Sequence, residues 1–164
     1  MYGRRGPLVF IDNEMLGNKG KKATDKRNGL TSQTYADHIL QDYLEPFYLK
    51  VSEEEGYVPQ VVEDNAPAHK GLPAKKWRHN HEMDKMEWPA SSPDMNAIEN
   101  VWAQLKMELR KLSPFAGFTK EVDLKAALHT AWERIPDSFF STCVDSMPRR
   151  IQELICAGGG PTHY

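Results

Sequence analysis

Residues 88–102 constrain the fold more than any other stretch. Pro89 and Pro93 bracket a run of small residues, Ala90, Ser91 and Ser92. Each proline fixes its own φ, removes a backbone donor and restricts the residue before it, so the chain turns here. Residues 85–88 are expected to form a short strand leading in. Beyond the turn, Ile98, Val101, Trp102, Leu105 and Leu109 recur at helical spacing and predict one apolar stripe. Ser92 or Asp94 is suited to cap that helix by accepting a backbone N–H, and Pro93 suits its entry. Glu99 falls about 100° round the helix from Ile98. That places it at the edge of the buried face, within reach of a cleft. Standing alone, it reads as an ordinary first-turn acid favoured by the helix dipole.

A second stretch changes the reading of Glu99. Residues 61–69 end an apolar run, Val61 and Val62, with Glu63 and Asp64, and then turn at Pro67. A strand over 57–63, with Val61 and Val62 buried and Pro59 keeping its start at an edge, would leave Asp64 at its carboxyl end. Ligand sites of α/β sheets form at such ends. Asn65 is suited to cap a short helix with Pro67 in its first turn. His69 reads as a packing or capping residue, or as a hydrogen-bonding group near Asp64. Thirty-four residues separate Asp64 from Glu99. The D-N-A-P-x-H run beginning at Asp64, the S-P-D-x-N-x-I-E-N-x-W run beginning at Ser92, and the spacing between their acids together resemble the DDE transposases of the mariner-like superfamily. Two motifs at that separation are a far stronger signal than either carboxylate. Ala97 stands where the family motif usually has proline. Residues 29–40 are similar to the helix ahead of the family's second catalytic strand, and residues 159–164 to its usual terminus.

The resemblance implies that Asp64 is the second catalytic acid and Glu99 the last, both of them metal ligands. It implies an α/β fold, a partial ribonuclease-H-like (DDE integrase/transposase) core over 1–111 with C-terminal helices over 112–164. The cofactor implied is Mg²⁺ or Mn²⁺, used in pairs for in-line displacement at phosphorus. Mg²⁺ takes hard oxygen ligands and keeps several waters, so few carboxylates suffice. DNA is the expected partner, a homodimer the expected assembly and the nucleus the expected location. Residues 8–11 look like the third strand of that fold. The first two strands, the first catalytic Asp and the helix-turn-helix region for transposon ends are expected to lie outside this chain, leaving an open sheet edge. Asp12 is the substitute acid to weigh, but it stands too close to Asp64 and after the wrong strand. The expected function is therefore a transposase-derived DDE endonuclease domain, weak or inactive by itself. The alternative is a non-catalytic nucleic-acid-binding or protein-interaction module.

Composition sets the remaining limits. At 164 residues the chain is long enough for one domain with a substantial core. Its formal net charge is −2, so any DNA contact must rest on local patches. One such patch is the polar stretch 13–28, with Lys19, Lys21, Lys22, Lys26 and Arg27; it reads as a solvated loop, or as a DNA-facing or nuclear-import loop. Another is Lys75, Lys76, Trp77, Arg78, His79 and His81, a helix and loop with Trp77 turned inward or a surface touching phosphates. His79 and His81 lack partners at zinc spacing. Cys143 and Cys156 make no disulfide framework and fit a reducing compartment. No apolar run approaches the ~20 residues of a membrane span. Elsewhere, Thr31 or Ser32 is expected to cap a helix carrying Tyr35, Ile39 and Leu40 that stops near Pro46. A helix ending before Pro136 follows Glu99's own, and Pro148 kinks or divides the last helical region.

Overall fold

Thr31 starts the first helix. In the computed structural model, which describes residues 5–12, 15–16, 29–89, 92–113 and 117–163, its backbone is extended and its hydroxyl accepts the Thr34 N–H at 3.1 Å. Three stretches then follow without a break: α1 (Ser32–Thr34), a π-helix (Tyr35–Leu44) and α2 (Glu45–Glu55). The helix therefore does not stop near Pro46. The wide winding carries the Glu45 N–H to the Leu40 carbonyl, and Pro46, which has no N–H to give, falls in the first turn of α2 directly after it. Two short helices come next, α3 (Pro67–Lys70) and α4 (Leu72–Asn80). Gly71 precedes α4 and has no side chain to cap it; the Ser32 hydroxyl accepts the Ala74 N–H instead, at 3.2 Å. A Cβ on Gly71 would lie 2.3 Å from the Ser32 Cβ, so this cap depends on glycine.

The expected strands are reduced to one pairing among the described residues. Val61 and Lys85 form a parallel bridge: the Val61 N–H donates to the Asp84 carbonyl and the Met86 N–H to the Val61 carbonyl, both at 2.9 Å. Among the described residues, 57–63 and 85–88 make no longer ladder and 8–11 form no strand. A strand needs successive bridges along its edge, and the Val61–Lys85 bridge is isolated. The period-two alternation survives without the ladder. Val61 and Glu63 point inward, while Val62 is 46% exposed and Asp64 faces out. Val62 is thus an outward residue, and an acid takes the inward place.

The chain divides into two compact units, Val9–Ala90 and Met1–Leu8 with Ser91–Tyr164. The first is centred on Tyr35, Leu40, Tyr48, Val61, Trp77 and Met83. Leu40 is fully buried, which contributes about 1.5–3 kcal/mol. The second unit holds α5 (Ile98–Leu112), α6 (Glu121–Arg134), α7 (Asp137–Asp145) and α8 (Met147–Cys156). Here the expected stripe packs as read: Val101 and Leu105 are buried with Trp132, Ile135 and Phe140, and Ile98, Trp102 and Leu109 close the edges. Trp132 meets Phe140 edge-on, ring centres 5.4 Å apart. Pro136 separates α6 from α7, and Pro148 lies in the first turn of α8, so the last helical region is divided. Leu8 joins this cluster, and Arg5 and Gly6 bond to Trp132. Side-chain contacts therefore hold that segment. Cys143 is buried in the cluster, where burial pushes its thiol pKa up; Cys156 is exposed at the end of α8. No helix among the described residues is long and apolar enough to cross a membrane. The basic stretch 13–28 lies outside the described residues except for Met15 and Leu16.

Candidate functional site

Asp64 sits where the inward-outward alternation ends and the chain turns into α3. Its side chain is 61% exposed. Two donors converge on one of its oxygens. The Ala66 N–H reaches Oδ1 at 3.0 Å, closing the turn, and the His69 ring Nδ1 lies 2.7 Å from the same atom. Among the described residues no donor reaches Oδ2. Asn65 does not cap α3. Its amide donates to the Trp88 carbonyl at 2.8 Å, tying the Asp64 turn to the segment ahead of Pro89, and Ala66 occupies the cap position.

Directly behind Asp64 lies a buried charge cluster that the sequence reading missed. Glu63 is 7% exposed. It accepts the Tyr35 hydroxyl at 2.6 Å, takes the Arg78 guanidinium at 2.9 and 3.0 Å on its two oxygens, and has the Lys85 ammonium at 3.2 Å. A carboxylate this deep persists only when paired and hydrogen-bonded. Burial, reinforced by the bond to Glu63, pushes the Tyr35 phenol pKa far above its ordinary value. Arg78 also donates to the His69 carbonyl at 2.9 Å. It is therefore committed to the interior and is not part of a phosphate-facing surface. Lys70, Lys75, Lys76 and His79 remain exposed. His81 stacks on Trp77, ring centres 3.9 Å apart, and pairs with Glu45.

Glu99 belongs to the other unit. It is exposed in the first turn of α5, where the helix dipole favours an anion. Neither Ser92 nor Asp94 caps this helix. Asn96 does part of that work: its side-chain oxygen accepts the Ile98 N–H at 3.3 Å, and its carbonyl accepts the Glu99 N–H at 3.1 Å. Asp94 lies in a 3-10 turn (Pro93–Met95) and holds the C-terminal tail. Its Oδ2 accepts the Thr162 hydroxyl at 2.9 Å and the Thr162 N–H at 3.2 Å. These bonds hold its carboxyl pKa below the usual range. The tail reaches back because Gly158 and Gly159 adopt positive φ, 60° and 84°, which side chains resist. Arg150, 2% exposed, fastens the same turn. It donates at 2.6 Å to both the Asp94 carbonyl and the Asn100 side-chain oxygen.

Asp64 fits a hard divalent cation: it is exposed, oriented from one side and open on Oδ2. Glu99 offers an exposed carboxylate in the first turn of α5. Asp12 is engaged in closing a turn, accepting the Met15 N–H on Oδ1 at 2.9 Å and the Leu16 N–H on its carbonyl at 3.0 Å. Among the described residues no three His, Cys, Asp or Glu side chains form a metal-binding group.

Comparison with known proteins gives this geometry its context. The family model described as DDE superfamily endonuclease matches residues 14–121. The Tcb2 transposase of Caenorhabditis briggsae is 36% identical over 102 residues, 62% of this chain and 36% of the relative. The Tc1 transposase of Caenorhabditis elegans is 33% identical over 128 residues, 78% of this chain and 44% of the relative. The chain thus spans less than half the length of these relatives. Its fold is similar to that of the catalytic domain of the Mos1 mariner transposase, with a TM-score of 0.66 at 16% identity over 82% of this chain and 65% of that one. The same domain solved with Raltegravir and Mg gives 0.68 at 14% identity, over 82% of this chain and 66% of that one.

Proposed function

The chain belongs to the DDE superfamily endonucleases, and from that premise we propose that it is a transposase-derived domain for metal-dependent DNA cleavage and strand transfer, with Asp64 and Glu99 as two of its metal-binding catalytic acids. The observation that carries the reading is the Asp64 carboxylate, exposed and oriented through one oxygen with the other open. Mg²⁺ or Mn²⁺, when bound, supplies an activated nucleophile and stabilises the leaving oxygen of an in-line displacement at phosphorus. The chain's own part is to hold hard ligands in place. The Ala66 N–H and His69 fix Asp64, while Asn96 and the Arg150-fastened turn set the start of the helix that bears Glu99. The same reading takes the fold as α/β and ribonuclease-H-like over 1–111, with helices appended over 112–164. The parallel Val61–Lys85 bridge supports it. It further takes DNA as partner and the nucleus as location, which the nematode transposase relatives support, and a homodimer as assembly.

The exposed Lys70, Lys75 and Lys76 favour a second reading, a non-catalytic nucleic-acid-binding or protein-interaction module. A DNA-nicking assay with Mn²⁺ or Mg²⁺ separates the two, comparing the unmutated chain with Asp64→Asn and Glu99→Gln. Nicking abolished in both variants is the expected result. A folded chain that nicks no DNA, yet binds it in a salt-dependent way that Asp64→Asn leaves intact, establishes the second reading.

A further inference from the structure

We infer that His69 is a positioning residue for Asp64, locked in place by the buried Glu63–Arg78 pair, so that Asp64 presents Oδ2 to a divalent cation. The inference deepens the reading of Asp64 as a metal ligand and rests on it. A carboxylate on an exposed turn has two free torsions, and nothing in its own packing selects one rotamer. Here both donors fall on Oδ1, one from the backbone of Ala66 and one from His69 at 2.7 Å. A half-turn about χ2 only exchanges the two equivalent oxygens, and any other rotation breaks both bonds. Donors of this kind, which touch a ligand and not the metal, orient it and typically change metal affinity 10- to 100-fold.

His69 is held from two sides. It stands in a helix of four residues, too short to fix a side chain by its own ladder. Its ring rests against the Tyr35 ring, centres 4.4 Å apart, and its carbonyl accepts the second arm of the Arg78 guanidinium at 2.9 Å. Arg78 in turn is fixed by Glu63, and Glu63 by the Tyr35 hydroxyl and Lys85. Tyr35 thus touches both ends of the chain of contacts, with its hydroxyl on Glu63 and its ring on His69. A guanidinium serves where an ammonium would not, because its planar fork reaches two partners in fixed directions. The local backbone makes the device compact. Consecutive residues of an extended segment point to opposite sides, so Glu63 anchors from within while Asp64 faces out.

The test is a Mn²⁺ titration of the purified full chain, reading the rise in melting temperature that follows from binding to the folded state. His69→Phe keeps a ring on Tyr35 and removes the donor. His69→Asn returns an N–H donor near the position of Nδ1. Arg78→Lys keeps a charge beside Glu63 and loses the arm on the His69 carbonyl. The expected result is a Mn²⁺ midpoint raised about 10-fold or more in His69→Phe, largely restored in His69→Asn, and raised again in Arg78→Lys. A role confined to folding would lower the metal-free melting temperature and leave the Mn²⁺ midpoint unmoved; that result in His69→Phe, or in Arg78→Lys should His69→Phe not fold, overturns the inference. Asp64→Asn separates the two levels. If it abolishes the Mn²⁺ response while His69→Phe retains it, positioning fails and the ligand reading stands. If the unmutated chain gives no response, or Asp64→Asn responds like it, both fail.

Discussion

Glu63 and Asp64 are neighbours in sequence with opposite fates. Only the outward one was legible. Asp64 belongs to a motif with a matching acid at a fixed separation, whereas Glu63 looked like the polar end of an apolar run. Its partner Arg78 lies fifteen positions on, in a basic run that reads either as a helix and loop around Trp77 or as a surface touching phosphates. Strict alternation over residues 61–64 was the available signal, since it puts Val61 and Glu63 on one face. Arg78→Ala strands the buried carboxylate and should cost about 3–5 kcal/mol, measured by urea denaturation. Replacing both partners with apolar residues, Glu63→Leu with Arg78→Met, should recover part of that loss. Tyr35 sets a limit at high pH. Its folded-state pKa lies above its unfolded one, so its contribution is complete below the ordinary phenol value near ~10 and is lost as the pH rises beyond it. Tyr35→Phe should flatten the alkaline fall of stability.

Elements were legible where local periodicity alone decides them. The α5 stripe and the breaks at Pro136 and Pro148 follow from residues within a turn or two. The strands were not, because a ladder depends on a partner elsewhere in the chain. The π-helix was hidden for a similar reason: Pro46 signals a stop, and only the widened winding before it lets α2 begin there. Asp94 shows the same limit. Its place ahead of a helix suggested a cap, yet its partner is Thr162, sixty-eight residues away. Because Thr162 holds the Asp94 carboxyl below its usual pKa, the clasp is fully made above the ordinary carboxylate range and released as pH falls through the lowered value. Thr162→Val removes the hydroxyl bond and should raise the Asp94 pKa towards that range, followed by carboxyl resonances in an NMR titration.

For the molecule as a whole, composition limited the reading more than it guided it. A net charge of −2 left DNA contact to patches, but not which cations stay outside. With Arg78 withdrawn, the α4 surface rests on lysines. Lys75→Gln with Lys76→Gln should weaken DNA binding across sequences and reduce the salt slope by about one per lysine. Nor did periodicity reveal that the chain gathers into two units around separate apolar centres. The two thiols turn this into a practical handle. Cys156 stands in solvent, while Cys143 sits inside the α5–α7 packing with its thiolate disfavoured by burial. An alkylating reagent should therefore modify Cys156 at once and Cys143 only as fast as that unit opens. Mass spectrometry of the singly and doubly modified chain then clocks the opening of one half of the protein without introducing any substitution.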